Sequence, residues 1–413
     1  MRGIFIGAWL VPLVELIMLI VGQIWYRTRF AWAPWKFTGL IIQITTTGRE
    51  EVRVNEIISE IRSFNLPMLY EIWVVNEPGM DDVYPRADRV LTVPRSFSAR
   101  SKYKARALEF SRLERKRLGL NGPDTKILFV DDDTSVTGRY IERAFGADYD
   151  ICQGLTAPRV EYGALPLQHF LLSHFDDLRT RGCLIYCAFF QGFVGKPLHV
   201  HGEGLCITGA TEEKITWNYP VFASEDLTFG QNAAHQGCRW GFFNEYVLLT
   251  SPWRWTDFKK QRKRWLWGNI HAVTHRDVLP LWQAVIIATK YLFGCTLTIV
   301  SFTAAGLRLA GLYTPPPHIT AVFWVSLATW LAVFALSGWI NSADVARQYT
   351  RHSTRAALRL WHTVFAMVAC PLTAAMSVFV FAMALAEGNP KRFEVIPKTA
   401  QAAASSVSPS GAR

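Results

Sequence analysis

Two kinds of apolar pattern alternate along this chain: long unbroken runs near its ends, and short β-branched runs interleaved with helical periodicity between them. Residues 4–24 form the first long run, interrupted by Glu15 and bordered by Trp25 and Tyr26. About 20 apolar residues rising roughly 1.5 Å each cross a bilayer, and Trp and Tyr favour its interfaces. The run exceeds a signal-peptide core and has no small-x-small cleavage site before Arg27, so it reads as a retained anchor. Pro12 and Glu15 imply that one of its faces packs on other helices, because an ionisable group facing lipid is costly. Runs at 281–311, 319–341 and 357–386 are each long enough to span as well, giving about four transmembrane helices.

Between these runs the pattern changes. FTGLIIQITTTG is a β-branched run closed by glycine, and EEVRVNEIISEIRSF follows with apolar residues at helical spacing. YEIWVVNEPG and KILFVDDDTSVTG are two further short apolar runs ended by turn residues. Strands alternating with helices predict an α/β layer with a mostly parallel sheet and helices on both faces. The expected organisation is an anchor at 1–26, a catalytic domain at 27–280 ending in juxtamembrane helices, three transmembrane helices at 281–387, and a disordered Ala/Ser-rich tail at 388–413.

Charge then orients the chain. Arg27, Arg29 and Lys36 follow the first run, and Arg347, Arg351, Arg355 and Arg359 lie between the last two, whereas the segment from Tyr313 to Ile319 carries no Lys or Arg. The positive-inside rule puts the middle domain in the cytoplasm of an integral plasma- or inner-membrane protein, with both termini on the other side. The net charge of +11 sits largely in juxtamembrane loops and the stretch Arg95–Arg117. Anionic headgroups and a diphosphate ligand account for that distribution, and no recognition motif argues for nucleic acid. The seven cysteines include no paired CxxC, so a reduced structural role is expected for them. His199-x-His201 with Glu203 nearby is a weak metal pattern without further ligands at suitable spacing.

Ligands of parallel sheets bind at the carboxyl ends of strands. Thr46, Thr47 and Gly48 end the first predicted strand, Asn76 and Glu77 the second, and Asp131, Asp132 and Asp133 the third. In extended backbone Asp131 and Asp133 share a face, which suits a hard cation such as Mg²⁺ or Mn²⁺; a solvated acidic turn is the alternative. Asp226, in Ser224-Glu225-Asp226, precedes a predicted helix. It is either an N-terminal helix carboxylate or a general base. On a helix Gln261, Arg264 and Trp265 share a face, combining an amide, a guanidinium able to grip a diphosphate and an indole on which a sugar can rest. A basic-aromatic helix at the lipid surface uses the other face of the same segment.

In this order and spacing, D-x-D (Asp131 to Asp133), E-D (Glu225-Asp226) and Q-x-x-R-W (Gln261 to Trp265) make the chain resemble family-2 glycosyltransferases, the group of cellulose and hyaluronan synthases. ITTTG, YKARALEFS, DDDTSVT, SEDLTFG and SPWRWTDFKKQRKRWLWG resemble the egghead-type β-1,4-mannosyltransferases within it, over roughly residues 38–270. The resemblance implies a GT-A fold, a nucleoside-diphosphate-sugar donor, a divalent cation, and a lipid-linked or glycan acceptor at the bilayer. It implies that Asp131 contacts the nucleotide side of the donor and shares the metal with Asp133, and that Asp226 is the catalytic base. Lys104, Gln261 and Arg264 would hold the diphosphate, Thr46, Thr47 and Glu77 would lie beside the nucleoside, and Trp265 and Glu225 would face the acceptor. The family's pair of Asp residues after the second strand is Asn76-Glu77 here, and its Pro-x-x-Asn-Glu pattern is TTTG. Both GDP-mannose and UDP-sugars therefore stay open as donors. A processive polysaccharide synthase and an inactive nucleotide-sugar-binding subunit are the competing expectations.

Overall fold

The computed structural model describes residues 2–48, 50–79, 82–158, 167–314, 316–347 and 352–389; most of the expected tail lies outside them. The chain begins with α1 (Arg2–Thr28) and enters β1 (Gly39–Thr46), α2 (Glu51–Ser63), β2 (Tyr70–Asn76), β3 (Arg89–Thr92) and α3 (Lys104–Arg117). It continues through β4 (Thr125–Asp131), β5 (Thr134–Val136), α4 (Gly138–Gly146), β6 (Ile151–Pro158) and α5 (Leu167–Gly182), which runs on as a π-helix (Cys183–Val194). Then come β7 (Cys206–Thr208), α6 (Gly209–Ile215), α7 (Glu225–His235), β8 (Trp240–Leu249), α8 (Trp255–Thr274), α9 (Leu281–Leu309), α10 (Pro317–Arg347) and α11 (His352–Glu387).

The eight strands form one sheet in the order β3-β2-β1-β4-β7-β6-β8-β5. The run β3-β2-β1-β4 is parallel, and so is the pair β6-β8, while β7 and β5 run against their neighbours. The sheet is therefore mixed, although most strands share one direction as the sequence pattern predicts. Alternation along the strands explains why both faces are covered. Ile42, Ile44, Leu128 and Val130 point into one core with Ile57, Ile58 and Ile61 of α2, whereas Ile41, Ile127 and Phe129 point into another with Leu108, Trp217 and Phe229. Gln43 breaks the apolar run of β1, yet Arg115 donates to its amide oxygen and also donates to Glu212 Oε2 at 2.9 Å, so this buried group is satisfied.

The membrane expectations meet a more connected arrangement. Three helical segments, Trp9–Thr28, Leu281–Leu309 and Pro317–Ala343, are long and apolar enough to span a bilayer. The halves of α11, His352–Val368 and Leu372–Glu387, meet at a 54° bend, the geometry of a broken span or of a re-entrant segment, so the described residues hold three such spans, or four if this pair counts as one. Helix α1 also packs on the sheet domain: Met18, Leu19 and Tyr26 join Cys183, Leu184, Cys187, Ala188 and Phe242 in one core. Gly22 permits this approach, because a Cβ there would lie 3.0 Å from the Phe189 backbone nitrogen. Glu15, buried as expected of an ionisable group in a span, accepts a hydrogen bond from Tyr186 at 2.5 Å and pairs with Arg181 at 3.3 Å. The π-helix that completes this contact carries no sequence pattern that distinguishes it from a buried strand.

Candidate active site

Strand register brings the expected site residues level. Thr45 of β1 lies opposite Asp131 of β4, and Thr46 lies opposite Asn76 of β2. Their tips open onto one cavity of about 970 Å³. Thr46, Thr47, Glu77, Lys104, Asp131 and Asp133 line it from the sheet side. Glu225 and Asp226 from the start of α7, and Gln261, Arg264 and Trp265 from α8, close it from the opposite side. All eleven residues to which the resemblance assigns a role thus share one cavity, which continues between α1, α9, α10 and α11 past Tyr291, Phe302, Trp330 and Phe381.

Lys104 sits at the centre of the acids. Its Nζ donates to Asp131 Oδ1 at 2.6 Å and lies 3.5 Å from Glu225. Burial works against the ammonium, but Asp131, Glu225 and Asp226 together hold its pKa above the usual lysine value. Burial raises Asp131 above the ordinary carboxylate range, with Lys104 opposing and Glu203 and Asp133 adding to the shift. Asp132, on the other face of the strand tip, accepts from Thr46 Oγ1 at 3.1 Å and helps fix the end of β1. The main-chain oxygen of Asp133 accepts from both Thr250 N and Thr250 Oγ1, at 3.2 and 3.1 Å, so its backbone is tied to the end of β8.

Asp226 has the electrostatics that a base near neutral pH needs. Burial and the neighbouring Glu225 push its pKa up to about 7, against the pull of Lys104, and Glu203 adds to the rise. Its Oδ1 accepts the Leu227 N–H at 2.7 Å, which ties the carboxylate to the first turn of α7, and the residue lines the cavity. Ser224, just before Glu225, has φ +60°, a conformation few non-glycine residues adopt. Tyr103, just before Lys104, has φ +53°. Each turn aims the side chain that follows it into the cavity.

Helix α8 is held by its own partners. Arg262 donates to Asp176 at 2.5 Å, and its guanidinium lies 4.4 Å from the centre of the Trp265 ring. Gly268 lets α8 reach the Ser224 turn, because a Cβ there would lie 2.7 Å from Ser224 Oγ. Arg264 is drawn below the usual arginine range by burial, and Glu225, Asp133, Asp131 and Asp132 oppose that shift. Another face of the helix meets α11, where Trp267 Nε1 donates to the Ala384 oxygen at 3.0 Å.

Several participants carry little signal in the amino-acid pattern. Arg106 donates to Glu77 Oε2 at 2.6 Å, and Glu203 lines the cavity close enough to raise both Asp131 and Asp226. Glu203 was visible only as part of a weak histidine pattern, Tyr103 only as the first residue of YKARALEFS, and Asp176 had no signal because packing defines its role. Thr47 Oγ1, Glu77 Oε1 and Gln261 Oε1 are buried without a hydrogen-bond partner among the described residues. Buried polar atoms normally have partners, so these three suit a polar ligand in the cavity.

Comparison with known proteins gives this geometry a family. The β-1,4-mannosyltransferase egh of Drosophila melanogaster is 24% identical over 59% of this chain and 53% of its own length. The β-1,4-mannosyltransferase bre-3 of Caenorhabditis elegans is 25% identical over 51% of this chain and 49% of its own. The chain thus spans about half the length of these relatives. A solved mannosyltransferase of Pyrobaculum calidifontis, PcManGT, in complex with GDP-Man and Mn²⁺, aligns over 94% of this chain and 99% of its own, with 12% identity and a TM-score of 0.49. Residues 126–336 match the family described as glycosyl transferase family group 2, which is half of the chain and includes Asp131, Asp133, Asp226 and the Gln261–Trp265 segment; the protein belongs to that glycosyltransferase family.

Proposed function

We propose that this protein is a membrane-embedded, inverting glycosyltransferase that moves a hexosyl unit from a nucleoside-diphosphate sugar to a lipid-linked acceptor, with its catalytic site on the cytoplasmic face. The observation that carries the reading is the continuity of one cavity from the acids at the sheet edge to aromatic side chains between the candidate membrane helices. A donor with a polar nucleotide and an acceptor with an apolar tail match those two ends. The mannosyltransferase names of the relatives favour GDP-mannose as donor, with a UDP-sugar as the alternative.

Asp131 and Asp133 offer hard oxygen donors, and the acids around Lys104 leave negative charge to be neutralised, so the site suits Mg²⁺ or Mn²⁺. When bound there, the cation would offset charge on the donor diphosphate. In the proposed step the acceptor oxygen bonds to the anomeric carbon as the bond from that carbon to the diphosphate oxygen breaks. Asp226 receives the acceptor's proton, and a single displacement inverts the centre. Lys104 and Arg264 stabilise charge on the departing diphosphate, while Gln261 fixes its orientation. Thr47 and Glu77 offer their unpartnered oxygens to the nucleoside, and Trp265 and Glu225 border the acceptor.

Incubating purified enzyme with membranes and labelled GDP-mannose or UDP-sugars tests the reading. The expected label is metal-dependent and extracts with lipid; high-molecular-weight product would instead identify a processive synthase, and no turnover of any donor would leave a binding subunit.

A further inference from the structure

A second cluster borders this cavity, which His201 also lines, and is chemically unlike the acids described above. Cys183 and Cys187 of the π-helix and His201 of the loop before β7 are all buried, and one ligating atom from each lies within 4.8 Å of the others. The four-residue spacing puts both thiols on one side of their helix. Cys183 Sγ is 3.5 Å from His201 Nε2, matching the edge of about 3.5 Å that a tetrahedron with Zn–S of about 2.3 Å and Zn–N of about 2.0 Å requires. The other ring nitrogen is also accounted for. His201 Nδ1 lies 2.9 Å from the Glu203 main-chain oxygen and 3.1 Å from Gln153 Nε2; the carbonyl can only accept, so with a cation on the thiol side Nδ1 would keep the proton and Nε2 would be the ligand. A histidine that donates one N–H to a carbonyl while its other nitrogen faces the ligand set is the arrangement that zinc sites use to orient imidazole. Gln153 Nε2 donates to the His201 main-chain oxygen at 2.8 Å, and Gln191 Nε2 donates to Gln153 Oε1 at 2.8 Å and to the His199 oxygen at 2.7 Å, which holds the loop against the π-helix.

We propose that Cys183, Cys187 and His201 form a binding site for a thiophilic divalent cation, zinc above all, separate from the hard-cation site at Asp131 and Asp133. Sulfur and imidazole select zinc over Mg²⁺ or Mn²⁺. Binding releases the two thiol protons to solvent, and two thiolates with Zn²⁺ leave no net charge in a buried place. The site ties the π-helix to the loop carrying Gly202, whose Cβ position is 3.0 Å from Lys104 Nζ and 3.7 Å from Asp226 Oδ2. Metal there anchors the floor beneath the candidate base.

Elemental analysis of tag-free enzyme, purified without chelator and exchanged into Mg²⁺ buffer, tests this. One retained zinc per chain is expected, together with a sulfur-to-cobalt charge-transfer band when Co²⁺ replaces it. Cys183→Ser and Cys187→Ser should each weaken the band and the double variant abolish it, and retention of donor-induced thermal stabilisation will show that the variants fold. Substoichiometric zinc in the wild type even after saturation, with no charge-transfer band and free alkylation of both thiols in the folded enzyme, would overturn the proposal. So would a band that survives both substitutions.

Discussion

The two ends of the active cavity are built on different principles. At the sheet end, register and hydrogen bonds set the chemistry: Thr45 faces Asp131, Asp132 accepts from Thr46, and Lys104 bridges Asp131 and Glu225. At the membrane end, shape dominates, with Phe302, Trp330 and Phe381 from three different helices framing apolar space. Rigid polar geometry suits a step in which charge develops at fixed atoms, whereas a loosely specified apolar wall suits a tail that needs only to be accommodated. Damage at the sheet end should therefore fall on turnover, and damage at the membrane end on acceptor affinity.

Asp226→Asn should break this contrast most severely. Loss of a positioned base costs about 10² to 10⁴ in rate, and initial-rate assays should show that loss while donor-dependent thermal stabilisation persists. Near-normal turnover would remove Asp226 from the role of base.

The pH profile comes next. Because the pKa of Asp226 is pushed up to about 7 and a base acts only when deprotonated, kcat/KM should rise with pH through about 7 and level off above it. At pH 5 roughly one-hundredth of the plateau should remain. Glu225→Gln removes a neighbouring negative charge and should move the midpoint to lower pH; a midpoint that stays fixed would show that Glu225 does not govern it.

Trp330→Ala probes the other end. Losing the half-buried indole face that an acceptor tail would cover costs about 1.5 kcal/mol, or roughly tenfold in acceptor affinity. KM for a long-chain acceptor should rise by that factor while kcat stays unchanged, and a truncated soluble acceptor should be affected little. A fall in kcat with either acceptor would erase the proposed division between the two ends.

Gly268→Ala sharpens the joint between α8 and the Ser224 turn. The new Cβ would meet Ser224 Oγ at 2.7 Å and the Ala223 Cβ at 2.9 Å. Relief of such overpacking costs about 1–3 kcal/mol, so the melting temperature should fall and turnover should drop several-fold through displacement of Asp226. An unchanged Tm and rate would mean that the joint yields freely.

Much of this architecture is legible in the amino-acid pattern. The runs ending in Thr46, Asn76 and Asp131 become parallel neighbours, and the apolar runs become helices long enough to span a bilayer, because two-residue alternation and long apolar stretches are local signals. Other elements leave weaker traces. β3 is an exposed edge strand and β7 has only three residues, so neither offers a pattern, and the reversal of β7 follows from packing rather than from its own sequence. The π-helix resembles any apolar run until Met18 and Leu19 of α1 are packed against it. Within the site, the acids and the α8 face could be read from spacing, since each lies on one regular element. The positive φ of Tyr103 and Ser224, the Arg106–Glu77 pair and the Arg262–Asp176 pair could not, because each depends on segments distant in sequence or on a turn without glycine.

The central claim is a single displacement driven by Asp226 at the junction of the two ends. It is tested most directly by the anomeric configuration of the product formed from an α-configured nucleotide sugar labelled with ¹³C at its anomeric carbon, read from the one-bond C–H coupling in the isolated glycolipid. The account predicts β-linked product alone. An α-linked product would contradict it, since retention requires chemistry that a lone base opposite the leaving group does not provide.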